Sequence, residues 1–249
     1  MKIRYIKSCI ALLLATTTML LACKKDESNP APSVMPPASS TVNDIDGNIY
    51  PTVQIGPQQW LAENLRTTRY QNGDMIPNIP GGPGWQSSTT GAWSNYDNDP
   101  NLDASHGKLF NWYAAIDTRG VCPLGWHVPT DTDWQQLENS LGMSATELGA
   151  TGYRGTTQNV GGQMKRNTLW DIPNTGATNS SGFSGIPGGA INNNGNFLGT
   201  FETDGFWWSR SEEMGEFNAW YRSLNYANGG IKREYYPKNG GLCIRCVRD

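Results

Sequence analysis

Residues 120–141 read GVCPLGWHVPTDTDWQQLENSL, and this stretch decides the fold. Cys122-Pro-Leu-Gly125 has the makings of a tight turn, because proline presets φ and glycine accepts a positive φ. Trp126, His127 and Val128 then run extended into Pro129, whose ring disfavours helical dihedrals in the residue before it. Thr130 or Asp131 is placed to cap a helix, its side-chain oxygen accepting from an otherwise unpaired backbone N–H. Asp131 and Asp133 fall at the positive end of that helix's dipole. Trp134, Leu137 and Leu141 recur at i, i+3 and i+7, which puts one apolar stripe on a core helix. Turn, extended segment and helix form one unit, with Cys122 at its entry.

The chain around this unit has 249 residues and opens on an address. Lys2, Arg4 and Lys7 precede a short apolar run at 10–21, too short to span a bilayer and flanked as a secretory signal is. Leu20-Leu21-Ala22-Cys23 resembles the lipobox of bacterial lipoproteins. The resemblance implies cleavage after residue 22, lipid on Cys23, and partition with the membrane through that anchor. Lys24-Lys25-Asp26-Glu27 is similar to the surface-export signal of Bacteroidetes lipoproteins, and it also reads as a plain solvated charge run. The expected location is the outer membrane, lipid-anchored, on the cell surface. Residues 1–22 are thus read as signal peptide and 23–41 as a Pro- and Ser-rich disordered tether. Residues 42–249 follow as one domain.

Charged residues make up 16% of the chain and the net charge is −3, which argues against a nucleic-acid partner, since that requires a basic stripe. Ten Trp, ten Tyr and 29 Gly point to a loop-rich domain packed on aromatic side chains. Strands are expected at 49–55, with Pro51 marking an edge, and at 58–61, 196–200, 206–210, 219–226, 230–236 and 241–247. A helix is expected at 108–116, where Leu109, Trp112, Tyr113 and Ile116 recur with helical spacing. Helical turns fit 145–148 and 160–165, and residues 75–96 read as a long surface loop. Of five cysteines, Cys9 leaves with the signal and Cys23 takes lipid, so one pair and one spare thiol remain. In the last strand Leu242, Ile244 and Cys246 share one face while Cys243 and Arg245 share the other. That alternation predicts a Cys122–Cys246 disulfide, with Cys243 left as a thiol.

The stretches DIDGNIY, QQWLAENLRT, GKLFNWYAA, CPLGWHVPTDTDW, GFWWSRSEE and CIRCVRD together resemble the Fibrobacter succinogenes major paralogous domain family, over nearly all of 42–249. The resemblance implies an α+β, C-type-lectin-like mixed fold with terminal hairpins, two short helices and long central loops. It implies export to the envelope and assigns no activity. Cys243 departs from the family pattern, which has a small residue other than cysteine there. Formylglycine-generating enzymes are also akin, but their cysteine-bearing motif is not matched, so no oxidase activity is carried over.

No catalytic residue stands out. The two histidines are His106, in a loop without a nucleophile nearby, and His127, read as a hydrogen-bonded core residue. Cys243-Ile-Arg-Cys246 lies in a strand, where i and i+3 face opposite ways and cannot bridge. Asp97, Asp99, Asn101 and Asp103 alternate like the front of a calcium loop. Leu102 and Lys108, however, stand where an EF-hand needs its glycine and its bidentate glutamate. Calcium and a hydrogen-bonded Asx turn are the two readings, and no cofactor is otherwise indicated. Trp85, Trp93 and Tyr96 in the 75–96 loop suit a flat stacking platform for glycan, or ordinary packing under the loop. Three functions follow as expectations. The first is a non-catalytic module binding polysaccharide or an envelope protein; the others are an enzyme with a loop-borne site and a purely structural envelope protein.

Overall fold

A computed structural model describes residues 40–249. The signal expected at 1–22, the lipid expected on Cys23 and the expected tether as far as residue 39 lie outside them. Strand β1 (Thr41–Asn43) pairs antiparallel with β2 (Ile49–Ile55), which turns through Gly56-Pro57 into β3 (Gln58–Leu61). Alternation along β2 buries Tyr50 and Thr52 on one face, while Ile55 enters the second hydrophobic cluster from the other. Pro51 does not mark an edge, because β1 covers that side: Thr41 is its partner, and Thr52 N–H reaches Ser40 O at 2.8 Å.

The 75–96 region contains regular elements after all. Helix α1 (Pro83–Gln86) carries Trp85 inward, and β4 (Trp93–Ser94) follows. After the short helix α2 (Asp103–His106), β5 (Leu109–Phe110) pairs with β4. The helix expected at 108–116 therefore starts late, as α3 (Trp112–Ile116). Asn111 decides this. Its Oδ1 accepts from Ala114 N, capping α3, and from Ala92 N, which holds the preceding residues extended.

The central unit forms as expected. Trp126 N–H bonds to Pro123 O at 3.0 Å and Gly125 has φ +80°. Strand β6 (Trp126–His127) leads into α4 (Asp131–Ser140). Thr130 is the cap, in a reciprocal box with Asp133. Trp134 and Leu137 are fully buried. Helix α5 (Ala145–Leu148), β7 (Gly152–Arg154) and α6 (Val160–Met164) follow. Gly161 permits a close backbone approach, since a Cβ there would lie 2.0 Å from Gly230 O.

Strands β8 (Asp204–Glu212), β9 (Asn218–Asn225) and β10 (Ile231–Pro237) form a second antiparallel sheet, ordered β7-β10-β9-β8. Residues 196–200 form no strand; only Phe197 bridges to Ile191. The last strand is shorter than expected, since β11 comprises only Val247–Arg248. It joins the first sheet as β1-β2-β3-β11-β6, which brings the chain end against Trp60 and His127. The residues before it stay extended and bond outward in turn, Leu242 to Phe110 and Cys243 to Phe206 and Trp208.

Residues 241–247 run between two hydrophobic clusters. Leu242, Ile244 and Cys246 enter one cluster, Cys243 and Val247 the other. Trp208 and Trp207 divide in the same way, and both are fully buried. The Cys122–Cys246 disulfide is present and Cys243 is a buried free thiol. The architecture is α+β, mostly strands, with six short helices among the described residues in place of two. No helix among the described residues is long and apolar enough to cross a membrane.

Candidate binding groove

Of the three rings expected to form a platform, Trp85 and Tyr96 are buried and Trp93 is half-buried. Trp85 is fully buried, and its indole N–H donates to Asn239 O at 2.7 Å. Tyr96 is 9% exposed, packs against Phe197 and Phe201, and donates to Leu198 O. Trp93 is half-buried, donates to Ile76 O, and has the Lys108 ammonium 4.5 Å from its ring centroid. Each ring found a long-range partner for its polar tip, so the loop lies down on the core.

A groove of about 350 Å³ opens beside that loop. Gln86, Ser88 and Thr89 come from the end of α1, Tyr113 from α3, and Asn193 from the loop after Ile191. Phe217, Asn218 and Asn239 come from the β8–β9 and β10 ends. Phe217 is 79% exposed. The side chains of Gln86, Thr89, Tyr113, Asn193 and Asn218 have no hydrogen-bond partner among the described residues. Asn239 is different: its amide donates to Gln86 O and Asn193 O, which ties the two walls together. Two rings and a set of free amides and hydroxyls thus share one concave surface. None of these residues was legible as a site, because five separate segments supply them and none carries a motif. The Asn and Gly content of 192–196 was the available signal.

Within the acidic run 97–103, Asp99 caps the following turn and Asp103 is paired with a lysine. Asp99 Oδ1 accepts from Asn101 N and Nδ2 at 2.9 and 2.8 Å, an Asx cap, and Asp103 pairs with Lys108. No cluster of three or more His, Cys, Asp or Glu side chains suited to a metal occurs among the described residues.

His127 is not a core residue. It stands half-buried at the surface, with Nδ1 2.6 Å from Asp249 Oδ1 and Nε2 3.2 Å from Asp133 Oδ2. The Asp133 hydrogen bond raises its pKa above 6.5 against the opposing effect of burial, and Asp249 adds to the rise. Burial pushes the Asp133 carboxyl up, but His127 and Thr130 outweigh it and bring it to about 2. The linkage has a definite sign. A raised folded-state histidine pKa stabilises fully below its unfolded value, near 6.5, and this contribution is lost as pH rises through the higher folded value. The depressed Asp133 stabilises above 3.8, a contribution lost as pH falls towards 2. The melting midpoint is therefore expected to decline on the alkaline side of about pH 6.5, and His127→Gln should flatten that limb. An unchanged limb in His127→Gln would show that another group titrates there.

Residues 53–248 match the family described as the Fibrobacter succinogenes major domain. The chain belongs to this family. The match takes in the whole central unit, both sheets except β1 and the first part of β2, and every groove residue. No curated protein and no solved structure gives a significant match.

Proposed function

We propose that the chain is a non-catalytic binding module of the cell envelope, on a C-type-lectin-like fold, tethered by lipid on Cys23 and recognising glycan through the groove. The observation that carries the reading is the pairing of Tyr113 and Phe217 with unpartnered amide and hydroxyl groups in one concavity. Sugars present flat apolar faces rimmed by hydroxyls, so rings supply stacking while amides fix orientation. The meeting of the first hairpin and the chain end in one sheet, with long loops between, supports the lectin-like resemblance. The lipobox-like Leu-Leu-Ala-Cys23 supports the anchor.

Titration of the full chain with a panel of bacterial and plant polysaccharides tests the reading. Phe217→Ala and Tyr113→Ala are each expected to weaken binding about ten-fold, near 1.4 kcal/mol, with the melting midpoint held. The proposal fails if no polysaccharide saturates, or if both variants bind as the parent does.

A further inference from the structure

Arg245 is fully buried, yet among the described residues no carboxylate lies within ion-pair distance of it. Its guanidinium is held by neutral oxygens. Nε and Nη2 donate to Asn64 Oδ1 at 3.2 and 2.8 Å, and Nη1 donates to the carbonyls of Leu61 and Phe183. Asn64 Oδ1 also accepts from Trp207 Nε1 at 2.8 Å, so one amide oxygen serves three donors. A guanidinium carries five N–H groups. These bonds use four, and the remaining Nη2 hydrogen has no partner among the described residues. Burying a charge without a counter-ion is costly, and burial draws the Arg245 pKa down to about 9.

The other buried cations show how this fold ordinarily handles that cost. Arg154 and Arg222 share Glu138, and Arg233 pairs with Asp131. Lys165 gives its ammonium to three carbonyls, of Thr175, Asn225 and Asn228, at 2.7–2.9 Å, one for each N–H. Arg245, which has no carboxylate, lines a small pocket of about 80 Å³ that opens to the surface. Arg66 and Arg166 stand on the same walls with Ser105, Ser184 and Glu63. Arg166 is exposed and has no side-chain partner among the described residues. Arg66 pairs with Glu63 at 2.6 Å, an i,i+3 pair whose carboxylate is 44% exposed. Arg66 itself is 14% exposed and its Nη2 donates to Ile49 O at 2.9 Å, so the exposed Glu63 carboxylate is the member of the pair that an anion would displace. Three arginines and one carboxylate therefore line a space of about 80 Å³, large enough for a single small anion.

We propose that this pocket seats a small oxyanion, the carboxylate, sulfate or phosphate group of a ligand, with Arg245 at its base and Arg66 and Arg166 at its rim. Planar guanidiniums match such oxygens in pairs. The site is separate from the glycan groove and shares no lining residue with it.

The test is calorimetric titration of the full chain with sodium sulfate, inorganic phosphate and glucuronate, each at ionic strength matched with sodium chloride. Saturable binding of at least one of the three is expected, and the tightest identifies the class of group. Arg166→Ala should weaken it roughly ten-fold, the size of one charge-assisted contact, and Arg166→Glu should abolish it. Arg166 is exposed, so both variants should melt at the parent midpoint without anion. A midpoint rise with sulfate that is equal in parent and Arg166→Glu would be the general salting effect and would overturn the proposal. So would the absence of saturation by all three anions.

Discussion

Glu138→Ala is expected to destabilise the domain by about 3–5 kcal/mol, the range for removing one member of a buried ion network. Glu138 sits on α4 with no exposed surface, and its Oε1 accepts from Arg222 Nε at 2.5 Å and from Arg154 Nη2 at 2.9 Å. Its Oε2 takes Arg154 Nη1 at 2.9 Å. Arg222 continues to Asp131, which also holds Arg233. Three arginines of the β7-β10-β9-β8 sheet are thereby clamped to two carboxylates of one helix. The network already carries an excess positive charge, and Arg154 Nε and Arg222 Nη2 have no partner among the described residues. Removing Glu138 leaves three guanidiniums to the single carboxylate of Asp131, and Arg154 loses its carboxylate partner altogether. Urea unfolding measures the loss, and Glu138→Gln, which keeps shape and hydrogen-bonding oxygen, should lose less. Replacing the set together (Glu138→Leu with Arg154→Met and Arg222→Met) should recover much of the stability, because apolar packing substitutes for buried ions. A loss below about 1 kcal/mol for Glu138→Ala would show that water reaches the network.

The network also marks where reading the sequence stops. Thr130, the Trp134/Leu137 stripe and the turn at Gly125 were legible because caps, helical periodicity and positive φ are local properties. Arg154, Arg222, Lys165 and Arg245 read as surface residues by type, and only tertiary placement buries them. Alternation in 241–247 correctly separated Cys246 from Cys243, since strand periodicity is local too. It could not say that both faces would be covered. A strand between two clusters buries the supposed outer face, and the same is true of Trp207 beside Trp208. The 75–96 loop misled for a related reason. Its glycines and prolines describe its path, but Trp85 is fixed by a carbonyl 154 residues away. The groove was invisible as a site because it is assembled from chain ends of separate elements. Leu109 had helical spacing with Trp112, Tyr113 and Ile116 but lay upstream of the Asn111 cap, and strand pairing claimed it.

Removal of the Cys122–Cys246 crosslink, by reductant or by the double change Cys122→Ser and Cys246→Ser, is expected to cost about 4–5 kcal/mol. The bridge spans 124 residues. In the chain-entropy account, releasing a loop of that length restores about 5 kcal/mol of freedom to the unfolded chain. For a domain of roughly 200 residues this lowers the melting midpoint on the order of 10 °C. Both sulfurs lie in the cluster that receives Leu242 and Ile244, so the serines would also place hydroxyls among apolar side chains. Cys243 offers no substitute partner. It faces the other cluster, and burial pushes its thiol up to about 12, so it holds almost no thiolate at neutral pH to attack the bridge. Peptide mapping without reduction should therefore give the Cys122–Cys246 crosslink alone, with Cys243 alkylated only after unfolding. Cys243→Ser should leave that crosslink intact and the reductant effect undiminished. A midpoint insensitive to reductant, with complete reduction verified by mass, would show that the two clusters hold residues 241–247 in place without the bridge.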